Sequence, residues 1–185
     1  MKTLIIRTDK LGDLYSTLPY INSIKKEYGK ENLDLLISES IYEHFAEKKY
    51  LYKNIYAFPK SGIIKKILLI IKLRLNHYNQ ILIFDGKDRS LIFAYLLKSL
   101  RKIFFYKKIN LFLKIFFLNK KKYIFIEDNK KETINDLFAK MLGLLKININ
   151  TINFKFITFN NLSSINFPDS LREKFKKYTL IHLDE

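Results

Sequence analysis

Short apolar runs alternate along this chain with longer segments whose apolar residues recur at helical spacing. Thr3–Thr8 (TLIIRT) is apolar and partly β-branched, ends at a polar loop, and predicts a buried strand. Leu14, Leu18, Ile21 and Ile24 then predict a helix over Leu14–Tyr28 that stops at Gly29, a favoured residue just past a helix end, with Pro19 loosening its first turns. Asn32–Ile37, Asn54–Phe58 and Gln80–Phe84 predict further strands, with helices Ser40–Lys49 and Gly62–Asn76 between them. Beyond these come helix Arg89–Leu100, strand Lys102–Tyr106, a basic segment Ile109–Leu118 and strand Tyr123–Ile126. Helices Lys131–Leu145 and Pro168–Lys177 and strand Thr179–Leu183 complete the series. Strand and helix in alternation, joined by short connections, imply an α/β fold: a Rossmann-like parallel sheet with helices on both faces. Ligands of such sheets bind at the carboxyl ends of strands, so the loops after Thr8, Ile37, Phe58 and Phe84 matter most.

Composition narrows the class. With 185 residues, 48% of them hydrophobic, the chain has apolar material for a core, which excludes a disordered or collagen-like protein. No apolar run is long and uncharged enough to span a bilayer, and Arg7 and Asp9 interrupt the N-terminal stretch too early for a signal peptide. The absence of cysteine excludes disulfides, thiolate metal sites and a cysteine nucleophile, and fits a cytoplasmic location. The net charge of +16 suggests anionic partners, yet only five of the 34 basic residues are arginine, and abundant Lys, Ile, Asn, Phe and Tyr match an A/T-rich coding bias. Such bias explains lysines but not missing acids, and no acid occurs between Glu47 and Asp85 or from Arg89 to Ile126.

The loop Asp9-Lys10-Leu11-Gly12-Asp13 has a single glycine, so neither the dinucleotide-binding fingerprint nor a P-loop is present. Asp13 stands at the start of the first helix. Two readings are open there: an N-cap contributing about 1 kcal/mol, or a carboxylate aimed into the cleft, kept ionised by the helix dipole and able to take a proton.

The segment LIIRTDKLGDLYSTLPYINSIKKEY resembles the opening of glycosyltransferase family 9, the ADP-heptose:lipopolysaccharide heptosyltransferases, in its basic-polar loop, Gly-Asp pair and Thr-x-Pro step. His77–Asp85 followed by Arg89-Ser90, the helix ending in Met141-Leu142-Gly143, and Tyr178–His182 resemble later parts of the same pattern. The resemblance implies the N-terminal, acceptor-binding domain of a GT-B fold over residues 1–177, with residues 178–185 as the first strand of a nucleotide-sugar-binding domain. It implies inversion at the anomeric carbon without a metal cofactor, an ADP-heptose-like donor held by the second domain, and Asp13 as the base that deprotonates the acceptor hydroxyl. Gly12 of the matching pair, together with Arg7, Lys10, Lys87 and Arg89, forms the expected acceptor-binding set for an anionic glycan such as a lipopolysaccharide core. Lys10 reads equally as a solvated loop lysine, Asp88 as a helix cap, and Lys60 with Ser61 as a weaker case of the same kind. Because the chain ends at Asp184-Glu185, the expectation is that it transfers no sugar alone, as a truncated, split or decayed enzyme.

Two basic apolar segments, Gly62–Asn76 and Ile109–Lys122, fit either peripheral helices on an inner-membrane surface or ordinary helices packed on the sheet. The rival to an enzyme is a basic binding module for anionic membrane or nucleic acid. Aromatics in core positions, scarce arginine and the lack of a nucleic-acid motif weigh against the nucleic-acid version. His44, His77 and His182 are far apart and none is paired at metal-ligand spacing.

Overall fold

The computed structural model describes residues 1–45, 51–106, 122–127 and 132–148. By its internal contacts the chain divides into Met1–Ile152 and Asn153–Glu185, and everything described lies in the first unit. The expected boundary at 177/178, the basic segment 109–118, and the two last predicted elements fall outside the described residues.

The elements are β1 (Thr3–Arg7), α1 (Leu11–Tyr28), a short 3₁₀ turn (Lys30–Asn32), β2 (Leu33–Ser38), α2 (Glu39–Phe45), β3 (Asn54–Phe58), α3 (Ile63–Arg74), β4 (Tyr78–Ile83), α4 (Asp88–Leu96), β5 (Ser99–Tyr106), β6 (Tyr123–Glu127) and α5 (Ile134–Leu144). The six strands form one sheet in the order β3-β2-β1-β4-β5-β6, and every neighbouring pair is parallel. β1 lies at the centre, with Ile5 opposite Leu35 on one side and Leu82 on the other.

Parallel strands covered on both faces lose the apolar–polar alternation of half-exposed strands, which is why β1 is buried at every position. Its side chains still divide by pleat. Ile5 joins a core built with α1, α2 and α5, while Leu4 and Ile6 join a second core under α3 and α4. In the first core Phe138 of α5 is fully buried against Tyr20 of α1 (centroids 4.9 Å apart) and Phe84 beyond β4 (5.1 Å). In the second, Leu69, Ile70 and Leu73 of α3 meet Leu91, Phe93 and Ala94 of α4 over Leu4, Ile6 and Ile81.

Most boundaries fall within two or three residues of the pattern. α1 runs through Pro19 and ends at Gly29, whose φ of 79° supplies the left-handed turn and whose N–H closes on the Lys25 carbonyl at 2.9 Å. α4 ends earlier than the pattern predicts, because Ser99 and Arg101 already pair with Tyr78 and Gln80 as part of β5. α5 starts at Ile134 rather than Lys131, where Thr133 and Asp136 exchange hydrogen bonds as a capping box.

Candidate functional site

β1 and β4 are neighbours in the sheet, but the chain leaves them toward opposite faces, β1 into α1 and β4 into α4. The strand order reverses there, and the carboxyl ends of the two strands open a crevice of the kind that binds ligands in doubly wound sheets. All six residues expected from the sequence, Arg7, Lys10, Gly12, Asp13, Lys87 and Arg89, lie in or beside the two segments that border this crevice.

The two loops are tied together by a carboxylate. Asp85 Oδ2 accepts from the Thr8 N–H (3.0 Å), the Thr8 hydroxyl (2.8 Å) and the Ser90 hydroxyl (2.6 Å), and Oδ1 accepts from the Lys87 N–H (3.2 Å). Thr8 and Ser90 are both buried, so these bonds satisfy groups that would otherwise lie unpaired in the sheet end. Arg89 completes the bridge by donating to the Thr8 carbonyl at 2.6 Å.

Beneath them Arg7 is 5% exposed. Its guanidinium donates to the Phe84 carbonyl and, at 3.2 Å, to the Asp13 carbonyl, pairs with Asp9 at 3.2 Å, and lies 5.9 Å from the centre of the Phe138 ring. Its Nε has no hydrogen-bond partner among the described residues. Burial lowers the Arg7 pKa from its ordinary value, opposed by the negative charges of Asp9, Asp13 and Asp85. The other Asp9 oxygen pairs with the Lys87 ammonium, leaving Arg7, Asp9 and Lys87 as a chain of alternating charge across the crevice floor.

Asp13 is not the N-cap that one sequence reading made it. α1 begins three residues earlier than predicted, Lys10 is the N-cap residue in extended conformation, and Asp13 is the third residue of the helix. Its Oδ2 reaches back to the Lys10 N–H at 3.4 Å, and Oδ1 has no partner among the described residues. Its carbonyl is held by Arg7 and by the Ser16 hydroxyl at 2.8 Å. Gly12 is exposed, and a Cβ there would meet nothing within 4 Å, so the first turn of α1 presents bare backbone to solvent. Lys10, Lys87 and Arg89 are exposed. Lys60 lies at the carboxyl end of β3, its N–H bonded to Glu39 at 3.0 Å, two strands away from the crevice.

Sequence reasoning did not select Asp9, Thr8 or Ser90, nor give Asp85 a role. The available signal was positional: Asp9 and Asp85 are the first carboxylates after the two strands that flank the reversal point. Among the described residues no three His, Asp or Glu side chains cluster as metal ligands.

Burial raises the Asp9 pKa above its ordinary 3.8, against the opposing pull of Lys87 and Arg7. The folded form therefore binds this proton more tightly than the unfolded chain does. Asp9 adds stability that is complete below about pH 4 and is lost as pH rises through its folded value. Asp136 has the opposite sign, because hydrogen bonds from the Thr133 N–H and hydroxyl hold its carboxyl below 3.8, and its contribution disappears as pH falls past that value. The expected urea midpoint declines as pH rises above about 4, and Asp9→Asn flattens that decline while leaving the acid-side loss in place. An unchanged slope in the variant would assign the decline to another group.

The fold matches solved structures. The chain aligns with a glycosyl transferase family 9 protein from Veillonella parvula (TM-score 0.61, 15% identity, 82% of this chain and 42% of that one). It also aligns with E. coli heptosyltransferase WaaC bound to ADP-2-deoxy-2-fluoro heptose (TM-score 0.53, 20% identity, 77% of this chain and 49% of that one). The fold is the Rossmann-like α/β fold of a GT-B domain. WaaC with ADP gives a similar match, with a TM-score of 0.54, 20% identity, and coverage of 77% of this chain and 47% of that one. The chain thus spans about half, or less, of the length of each of these structures. No family model matches the sequence, and no curated protein matches it at the sequence level.

Proposed function

We propose that this chain is the acceptor-binding half of an inverting glycosyltransferase that moves a sugar from a nucleotide-sugar to an anionic glycan such as a lipopolysaccharide core. Asp13 serves as its base. The observation that carries the reading is the Asp13 carboxylate, on the first turn of α1 at the β1/β4 crevice, with one oxygen engaged by Lys10 and the other unpartnered among the described residues.

In the reaction the acceptor hydroxyl gives its proton to Asp13 Oδ1 as its oxygen attacks the anomeric carbon. The new C–O bond forms on the face opposite the departing nucleoside diphosphate, which carries away the electrons of the broken bond. One displacement inverts the centre and needs one carboxylate near the nucleophile. Lys10, Lys87 and Arg89 attract the acceptor's anionic groups, and Gly12 lets the glycan approach the first turn of α1. Arg7 acts from below by fixing the Asp13 and Phe84 carbonyls. The nucleotide-sugar, ADP-heptose-like as in the WaaC complex, is held by a second domain, and the acceptor is presented at the cytoplasmic face of an inner membrane.

The expected result for the isolated chain is salt-sensitive binding of a phosphorylated core oligosaccharide, measured by calorimetry. Binding should weaken about tenfold in Lys10→Gln/Arg89→Gln and stay within about twofold in Asp13→Asn. Equal binding by wild type and the double variant would remove these cations from the acceptor site.

A further inference from the structure

α3 is apolar on two sides. Leu69, Ile70 and Leu73 turn inward to the second core. Ile63, Ile64, Ile67, Leu68, Ile71 and Leu75 are between 49% and 77% exposed. At 100° per residue these six fall within a sector of about 140°, centred roughly opposite the buried stripe. An ordinary surface helix carries polar residues there. Contiguous exposed apolar faces of this kind mark interaction surfaces.

One flank of the stripe is basic. Lys65 and Lys72 flank it on one side, with Lys72 over the Tyr56 ring at 5.3 Å, and Arg74 lies within it at the helix end, while Lys66 turns inward over the Phe58 ring at 5.8 Å. The chain has no acid between Glu47 and Asp85, and α4 on the same face of the sheet has only Asp88. At the carboxyl end of α3 the surface continues into a hollow of about 920 Å³ whose lining includes Arg74, Leu96, Lys98, Leu100, Lys102 and Lys122 and, among the described residues, no acid. This hollow lies at the amino ends of β4, β5 and β6, the end of the sheet away from the crevice.

We infer that the outward face of α3, continued by the basic hollow at its carboxyl end, docks on an anionic phospholipid bilayer. Aliphatic side chains enter the headgroup–acyl boundary while flanking lysines and arginine meet phosphates, and the hollow accommodates an anionic headgroup. Charge selects this occupant over a second copy of the chain, since two such faces would bring like charges together with no acids to offset them. Among the described residues no helix is long and apolar enough to cross a membrane, so the contact is one of lying on the surface. Only four residues separate α3 from the end of β3, so Ile63 and Ile64 stand at the same end of the sheet as the crevice, and a docked face brings a membrane-borne glycan within reach of it. The inference deepens the membrane part of the proposed function. It rests on that reading only for the benefit of docking, since vesicle binding needs neither sugar donor nor acceptor.

The test is sedimentation of the 185-residue chain with vesicles of phosphatidylglycerol and phosphatidylcholine against vesicles of phosphatidylcholine alone. The expected partition favours the anionic vesicles at least tenfold and falls about tenfold between roughly 50 and 500 mM NaCl. It falls at least tenfold in Ile64→Glu/Leu68→Glu, whose thermal midpoint stays that of wild type because both positions are exposed. Three outcomes overturn the inference: equal binding to both vesicle types, full binding by the double variant, or wild-type dimers in ultracentrifugation that the double variant abolishes without any vesicle binding. Absence of sugar transfer to a soluble acceptor by a protein that joins this chain to a nucleotide-sugar-binding half, with vesicle binding intact, would count against the transferase reading alone.

Discussion

Asp13→Asn, introduced into a protein carrying both this chain and a nucleotide-sugar-binding half, is expected to lower kcat by about a thousandfold, within the range that a positioned general base supplies. The substitution is nearly isosteric, and the Asn Oδ1 can still accept from the Lys10 N–H, so the start of α1 keeps its cap. The Arg7, Ser16 and Thr17 donors that hold this turn bond the Asp13 carbonyl, which the substitution leaves alone. Fold and acceptor affinity should therefore be retained while the chemical step fails, a pattern that separates a base from a structural cap. Release of nucleoside diphosphate, followed by a coupled assay, gives kcat; calorimetry gives acceptor affinity; far-UV circular dichroism reports the fold. Turnover within about threefold of wild type would reduce Asp13 to a helix-terminus carboxylate.

Arg7→Met should destabilise the domain by about 3 kcal/mol, because it strips a buried carboxylate of one of its two cations and leaves a buried backbone acceptor unpaired. Asp9 then keeps only Lys87, the Phe84 carbonyl loses its donor, and the Asp13 carbonyl keeps Ser16 and Thr17 but loses Arg7. Methionine retains the volume beside Phe138, so packing loss contributes little. Adding Asp9→Asn removes the stranded charge and should recover about 1 kcal/mol or more, giving a non-additive cycle in urea denaturation. Strict additivity would mean that the Arg7–Asp9 pair contributes nothing and that the cost lies in the carbonyl bonds. Loss of transfer in Arg7→Met with folding preserved would show that holding Asp13 in register matters to catalysis as much as the carboxylate itself.

The sheet was legible because each strand is a short apolar run bounded by a polar or glycine-containing connection. The helices α1, α3 and α5 followed from helical spacing within a few residues. What the pattern missed was set by contacts that spacing does not encode. α1 begins at Leu11 because a hydrogen bond runs backward from Asp13 to Lys10, and β5 begins at Ser99 because β4 offers it a partner. The crevice was half legible. Asp13, Lys10, Gly12, Lys87 and Arg89 stood out through their place in a loop and their resemblance to a known motif. Asp9 and Asp85 carry most of the local organisation, yet they are separated by 76 positions and meet only once the sheet has formed. The double-sided apolar character of α3 was visible as an Ile/Leu-rich run, but which residues turn outward depended on knowing where the sheet lies.

The strand order also governs when the crevice can come into being. β1 pairs with β2 about 30 positions along the chain, but its other neighbour is β4, with Thr3 opposite Gln80. Thr8 meets Asp85 across the same span of 77 residues. Parallel strands cannot be joined by a tight hairpin, so each pairing must close a long loop before its contacts repay the lost chain entropy. A nascent chain emerging from the ribosome can therefore assemble the β1-α1-β2 unit early, with one edge of its central strand still open. That edge is sealed only after Ser90 has been synthesised. Until then an apolar strand end with unpaired backbone groups is exposed to other chains, and this interval, rather than the finished sheet, is where the domain is most vulnerable to aggregation.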